Sequence, residues 1–221
     1  NTFGQGVGPA VQLDPPEPTR RGGYAEQVDE TIALAAVSGS SAGATATLAQ
    51  WQAALRTVAY VNSSATPSTA VRTLSFDVSD GTTNSSAGTK SVSVTAVNNP
   101  PVNTVPGSHT FAQDSNRTFN SGNSNLISVA DVDAGGSSIQ VTLTATHGTL
   151  NLSGSTGLSF LVGSGTGDAT MTFTGTITNL NNALNGLVFV PTSGYSGSAS
   201  LQIATNDQGN TGTGGAQTDT D

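Results

Sequence analysis

The feature that most constrains the fold of this chain is an internal duplication. The segment ATLAQWQAALRTVAYV (46–61) aligns without a gap with GTITNLNNALNGLVFV (175–190), and the large apolar positions coincide. Farther along, LSFDVSDG (74–81) parallels LQIATNDQG (201–209). Since the chain has 221 residues, this repeat predicts two similar units of about 100 residues each, the usual size of a small all-β domain.

Each copy contains one segment whose pattern predicts a short helix. In TLAQWQAAL, Thr47 is a candidate N-cap and the apolar residues recur on one face. TITNLNNAL repeats this scheme, with Thr176 or Thr178 as the cap. The repeat also pairs Trp51 with Leu180, which predicts a core position for the tryptophan rather than a sugar-stacking surface.

The remaining sequence is typical of short strands that are bounded by Gly, Asn, Ser or Pro. The alternating segments are RTLSFDVS (72–79), TKSVSVTAV (89–97), SIQVTLTA (138–145), DATMTFTGTI (168–177), GLVFVP (186–191) and ASLQIAT (199–205). Strands at roughly ten-residue spacing favour an antiparallel β-sandwich. The predicted fold class is therefore all-β, with two tandem sandwiches that each carry one short helix.

A proline pair marks the predicted boundary between the two units. A strand runs into Asn98 and Asn99, and Pro100 and Pro101 follow, which stiffens the connection and removes two backbone donors. We place one domain at 1–99, with a short or atypical beginning, and the other at 100–221. The second domain lacks a counterpart of the strand KSVSVTAV, so a neighbouring segment or subunit is expected to supply it.

The charge balance excludes some partners and favours others. The formal net charge is −8, from six Lys and Arg against fourteen Asp and Glu. Nucleic acid and anionic membranes require basic surfaces, so neither is an expected partner. The apolar run TIALAAV (31–37) is too short to span a bilayer, and direct membrane insertion is not expected. With no cysteine available, the acidic balance favours cation binding through oxygen ligands.

The segment ISVADVDAGG (127–136) is the first candidate for such a site. Asp131 and Asp133 stand at alternate positions of a turn, from which both carboxylates can reach one ion. Calcium takes six to eight oxygens from carboxylates, amides and carbonyls. An EF-hand is excluded because Thr142 stands where the twelfth loop position needs Glu. The alternative is a polar turn without metal, since Asp and Gly are ordinary turn residues.

Several long segments together resemble the tandem cadherin-like repeats of large bacterial surface adhesins, a class that type I systems often secrete. The resemblance is carried by TLAQWQAALRTVAYVNSSATPSTAVRTLSFDVSDG (47–81), VTAVNNPPVN (94–103) and ATMTFTGTITNLNNALNGLVFVPTSGYSGSASLQIATNDQGNTGTGGA (169–216). It covers about residues 44–221. It implies immunoglobulin-like sandwiches strung end to end, with calcium at their junctions and an extracellular or cell-surface location.

The same resemblance implies a set of calcium ligands. ADVDAGG matches the family's Asp-x-Asp-x-Gly turn, and NNPP matches its linker. TNDQG matches its late Asp-x-Gly turn. These matches give, in chain order, Asn98, Asn99, Asp131, Asp133 and Asp207.

Three further residues would serve other junctions. FAQDS matches the family's early Glu-Asp pair, giving Gln113 and Asp114, and Asp80 shares the context of Asp207. Asn99 and Gln113 stand where the family usually has acids. Each keeps an oxygen but loses a charge, and calcium affinity depends on ligand charge.

These features predict a structural and adhesive role: a calcium-stiffened extracellular spacer whose partners are neighbouring repeats or subunits. The alternative is a self-assembling filament or surface-layer subunit joined by donor-strand exchange. A third possibility, a carbohydrate-binding module, needs an exposed aromatic platform such as Tyr195. Catalysis is not expected, because His109 and His147 stand in separate strand-like segments without metal-site spacing.

Overall fold

A computed structural model describes residues 48–76 and 86–221 of the chain. The chain divides into two compact units, Asn1–Thr95 and Ala96–Asp221. Among the described residues, strands in antiparallel sheets predominate, so this part of the chain is all-β, and one short α-helix is described in each unit. Within the described residues, no helix combines the length and the hydropathy that crossing a membrane requires.

In the first unit, a helix is followed by a β-hairpin. Helix α1 spans Leu48–Leu55, strand β1 spans Arg72–Phe76 and strand β2 spans Gly88–Val92. The two strands pair antiparallel over their full length. Leu74, at the centre of β1, is buried. Three predictions lie outside what the structure describes: Thr47 as the cap of α1, a core position for the Trp51 side chain, and Asp80 as a calcium ligand.

The second unit contains eleven described strands and a second helix. The strands are β3 (Val102–Thr104), β4 (Arg117–Phe119), β5 (Ser128–Ala130), β6 (Ser138–Ala145), β7 (Gly148–Asn151), β8 (Ser159–Val162), β9 (Thr166–Asp168), β10 (Thr170–Thr176), β11 (Leu187–Pro191), β12 (Leu201–Asn206) and β13 (Thr218–Thr220). The helix α2 spans Ile177–Leu184, and a single 3₁₀ turn spans Ser121–Asn123.

Two larger sheets and one small sheet organise this unit. One sheet has the order β13-β12-β6-β10-β8, another has the order β4-β11-β7-β9, and β3 pairs only with β5. Strands β6 and β10 alternate between buried and partly exposed residues. The inward residues of both large sheets meet in one apolar cluster, which includes Phe173, Leu143 and Leu150. This arrangement is sandwich-like.

Helix α2 forms where the repeat predicts it. Thr176 is the N-cap, and its hydroxyl accepts a hydrogen bond from the Asn179 N–H at 3.3 Å, so one of the two predicted caps is confirmed. Leu180, Ala183 and Leu184 are buried. The helix therefore belongs to the core of the second unit rather than to its surface.

Asn181 on this helix acts as a substitute strand partner for β5. Its side-chain oxygen accepts the Val129 N–H and its amide donates to the Val129 carbonyl, both at 2.9 Å. We expect Asn181→Ala to lower the free energy of unfolding by about 1–3 kcal/mol, because both backbone groups lose their partner. Chemical denaturation measures this loss. The neighbouring, exposed Asn182 is the matched control, and a loss of similar size in Asn182→Ala would contradict the assignment.

The glycine-rich segment 163–167 is a turn built around a carboxylate. One oxygen of Asp168 accepts the backbone N–H groups of Ser164 and Gly165 at 2.8 Å and of Thr166 at 3.2 Å. Gly165 has a φ of +87°, which favours glycine. The backbone N–H groups of this turn are therefore occupied by the protein's own acid.

These contacts make the turn sensitive to acid. The N–H of Ser164, followed by those of Gly165 and Thr166, lowers the pKa of Asp168 against the opposing effect of burial. A lowered folded-state pKa means that the contribution is complete above the unfolded pKa of about 3.9 and is lost as pH falls through the folded value. We expect Asp168→Asn to cost about 1–3 kcal/mol at neutral pH and to weaken the acid dependence. Denaturation between neutral and acidic pH tests this.

The matched control for this prediction is Ser164→Ala. It removes the hydroxyl that lies 3.3 Å from the Asp168 carboxylate but keeps the backbone donor. The acid dependence should survive in this variant. Equal pH profiles for Asp168→Asn and the parent chain would show that the turn does not depend on the charge.

Candidate metal centre

Three segments of the second unit meet at the candidate site. They are the entry segment 96–99, the turn 131–134 that follows β5, and the loop 207–217 that joins β12 to β13. All the contacts described below lie within this unit.

The turn is organised by its first aspartate. Asp131 Oδ1 accepts the backbone N–H groups of Asp133 and Ala134, both at 3.1 Å. This is an Asx turn, in which a short side chain substitutes for a backbone acceptor. Ala134 is buried against the core, and Gly135 follows with a φ of +56°. Local sequence chemistry therefore places both carboxylates on the inner side of the turn.

The second aspartate holds the entry segment. Asp133 Oδ2 accepts the Asn99 backbone N–H at 2.8 Å and the Asn99 side-chain amide at 3.0 Å. Asparagine is suited to this position, because it offers two donors to one carboxylate oxygen. The entry segment and the turn are thus joined directly.

Asp207 anchors the loop and the neighbouring asparagine. One of its oxygens accepts the N–H groups of Gly209 and Gln217 at 2.8 Å, and the other accepts the Asn98 amide at 2.5 Å. Asn98 also donates to the Gly215 carbonyl at 2.9 Å. Exposures of 3% for Asn98 and 1% for Asp207 show that this contact is buried.

The loop wraps closely around the entry segment. Thr213 accepts from the Asn98 N–H at 2.8 Å and donates to the Ala96 carbonyl at 2.9 Å, which forms a parallel bridge beside Val97. A Cβ on Gly212 would lie 2.6 Å from backbone atoms of Val97 and Asn98. Only glycine fits at this approach, so the loop sequence is adapted to hold residues 96–98.

The carboxyl groups of Asp131 and Asp133 lie close enough for each to influence the pKa of the other. Burial raises the pKa of Asp131, and the charge of Asp133 adds to that rise. Burial acts in the same direction on Asp133, but the hydrogen bonds from Asn99 outweigh it and the pKa of Asp133 is lowered. Two acids in contact with each other repel unless a proton or a cation lies between them.

Three buried oxygens in this region have no donor. They are Asn98 Oδ1, Asp131 Oδ2 and Asp133 Oδ1, and none of the described residues gives them a hydrogen bond. Buried polar atoms are normally satisfied, because leaving one unpaired costs about 1–3 kcal/mol. Unpaired oxygens on two neighbouring carboxylates are ligands of the kind that a hard cation binds.

The ligand chemistry suits calcium. Within residues 48–76 and 86–221, no three side chains of His, Cys, Asp or Glu gather as a metal-binding group. The cluster instead combines two carboxylates with an amide oxygen, and calcium accepts amide, carbonyl and water oxygens readily. A zinc site would require nitrogen or sulfur ligands. The residues present therefore offer three oxygens of the kind that calcium takes.

The structure brings together five of the residues singled out from the sequence. Asn98 is hydrogen-bonded to Asp207, Asn99 is hydrogen-bonded to Asp133, and Asp133 is hydrogen-bonded to Asp131. The peptide bond between Asn98 and Asn99 joins these two groups. Asp114, next to Gln113, lies in another turn, has a φ of 59° and accepts the Gly194 N–H at 2.8 Å. Calcium binding at any of these positions remains a prediction.

Sequence reasoning missed three members of the surrounding network. Thr211 donates its hydroxyl to the Asp133 carbonyl, and Gln217 donates to the Asn98 carbonyl at 2.6 Å. Asp219 accepts the Asn103 N–H at 2.7 Å. Alternate residues of a strand share one face, so the spacing of Gln217 and Asp219 was the available signal.

Tyr195, the candidate sugar-stacking residue, already has a ring partner. The His147 ring stacks on it with centroids 4.0 Å apart and an interplanar angle of 6°. The tyrosine hydroxyl donates to the Ser198 carbonyl at 2.8 Å. One face of the aromatic platform is therefore covered, which disfavours Tyr195 as a two-sided stacking surface.

No family model, no curated protein and no solved structure matches this chain.

Proposed function

We propose that this chain is a calcium-stiffened spacer of an extracellular adhesive protein, built from tandem immunoglobulin-like, cadherin-like sandwich modules. The observation that carries the proposal is the pair of facing carboxylates, Asp131 and Asp133, whose remaining oxygens are buried and unpaired. Its partners are neighbouring repeats or subunits, its location is the cell surface, and its role is mechanical rather than catalytic.

Each residue of the network has a distinct part in this role. Asp131, Asp133 and Asn98 offer the unpaired oxygens and would hold the ion. Asn99 positions Asp133, and Asp207 positions Asn98. When bound, calcium would supply the positive charge that neutralises the facing carboxylates.

Stiffening follows from where these residues stand in the chain. Residues 96–99 are the segment through which the chain enters the second unit. Hydrogen bonds from Asn98 and Asn99 fasten this segment to the loop and to the turn. A cation on the same groups would make its release more costly, because an ion that binds only the folded state stabilises that state by mass action. The direction in which the chain enters the second unit would then be fixed.

Thermal unfolding in excess calcium and in chelator tests the proposal. At a calcium concentration 100 times the Kd, the folded state gains about 2.7 kcal/mol, which raises the Tm by several degrees. Magnesium is the control ion, because its smaller size and strict octahedral geometry suit this donor set less well. Identical melting and identical small-angle scattering in calcium and in chelator would contradict the proposal.

A further inference from the structure

An open apolar groove lies beside the edge of β12. Its volume is about 300 Å³, far more than the roughly 10–15 Å³ that one water occupies. Its floor is formed by Ile127, Phe189 and Ile203, while Phe111 and Leu201 line its sides. A groove of this size and composition can take several aliphatic side chains, so it is more than a packing defect.

The backbone pairing along this edge ends partway. Ile203 and Asp221 exchange both backbone hydrogen bonds, at 2.9 and 3.0 Å. In an antiparallel ladder, alternate residues direct their N–H and C=O groups to the same side. Leu201, two residues before Ile203, therefore presents both groups to the side on which β13 lies, beyond the last described pair.

The first copy of the repeat shows which strand lies along the corresponding edge of β1. The repeat aligns Phe76 with Ile203. Phe76 pairs with Gly88, the first residue of β2, as Ile203 pairs with Asp221. In the first copy, β2 then runs on to Val92 and covers the rest of β1. The groove is thus the place where the second copy would take the counterpart of this strand.

The strand of the first copy also has a pattern that suits the groove. Its sequence after Gly88 is TKSVSVTAV, in which Val92 and Val94 are partly buried and Ser91 and Ser93 are exposed. Laid in the same register after Asp221, the counterparts of Lys90, Val92 and Val94 would share the side of the groove, since residues two apart share a face. The long lysine can keep its charge at the open mouth of the groove while its stem lies against Leu201.

We infer that the groove accepts one further β-strand, which continues β13 directly after Asp221 and lies antiparallel to β12. The occupant is an extended segment with aliphatic residues at the fourth and sixth positions after Asp221 and hydroxylated residues between them. It closes the unpaired edge and fills the groove. This inference does not depend on the cation, because none of the proposed calcium ligands lines the groove.

The test adds nine residues, TKSVSVTAV, after Asp221 of the full chain and uses chelator throughout. The matched control adds TKVSVSATV, which has the same composition but places the first two valines on the opposite face. The in-phase extension is expected to raise the Tm of the second unit by about 4–8 °C over the control. Hydrogen exchange should show the Leu201 amide protected only in the in-phase chain.

A groove variant and a free peptide complete the test. Ala199 lines the groove and is exposed, so Ala199→Asp should leave the unextended chain unchanged and abolish the gain from the extension. Equal Tm and equal Leu201 exchange for both extensions would overturn the inference. Protection by the free TKSVSVTAV peptide equal to that by the extension would also overturn it, because the groove would then serve a strand from another molecule.

Discussion

A chain carrying Asp131→Asn is expected to be more stable than the parent without calcium and less stable than the parent with calcium. The asparagine keeps Oδ1 for the N–H groups of Asp133 and Ala134. Its amide replaces the unpaired Oδ2 and can donate to the facing Asp133 carboxylate. The repulsion between two carboxylates is replaced by a hydrogen bond. In chelator, this should raise the free energy of unfolding by about 1 kcal/mol.

In calcium, the same substitution removes one of the two charges that the ion requires. The gain of about 2.7 kcal/mol that the parent shows at 100 times its Kd should then be largely lost. Urea denaturation in chelator and in calcium measures both changes. Asp221→Asn is the matched control, since this exposed aspartate lies outside the candidate site and keeps its backbone hydrogen bonds with Ile203, so it should shift stability little in either condition. A variant that is less stable in chelator and still responds to calcium would contradict the account of the carboxylate pair.

Asp207→Ala is expected to lower stability by about 3 kcal/mol or more, with or without calcium. Its buried carboxylate accepts two backbone N–H groups and the Asn98 amide, and all three donors would lose their acceptor. The loop 207–217 and the entry segment should loosen together. Denaturation gives the loss, and hydrogen exchange at Asn98 and Gln217 should locate it.

Asn206→Ala is the control for this substitution. Asn206 is the neighbouring residue at the end of β12, and its side chain accepts an exposed hydrogen bond from the Gln208 N–H at 2.7 Å. Its loss should cost about 0.5–1.5 kcal/mol. Similar losses in the two variants would mean that Asp207 is an ordinary turn residue and not the anchor of the entry segment. The contrast with Asp131→Asn separates loop anchoring from ion binding.

Much of the fold could be predicted because its signals are local. Helix α2 has an apolar face and a threonine cap within a dozen residues, and strands β6 and β10 alternate clearly over seven or eight residues. The short strands β3, β4 and β9 have three residues each. Three residues carry no detectable period, and their pairing depends on contacts that are distant in sequence.

The candidate site likewise has a local part that the sequence could predict and long-range contacts that it could not. The turn at Asp131 and Asp133 could be predicted because an Asx turn needs only neighbouring residues. The contact of Asn98 with Asp207 spans 109 positions and was suggested only by the resemblance to a known repeat. Asp219 was missed because its partner, Asn103, lies 116 positions away, and its alternation with Gln217 indicates a shared strand face but not a partner.

The central claim is that Asp131, Asp133 and Asn98 hold a calcium ion, and site-resolved nuclear magnetic resonance tests it most directly. Calcium is added to chelator-treated protein while the backbone amides of Asn99 and Ala134 and the side-chain amide of Asn98 are followed. The account predicts that these signals shift together and saturate with one Kd, and that magnesium reproduces the change poorly. Signals that stay in place up to millimolar calcium would contradict the claim.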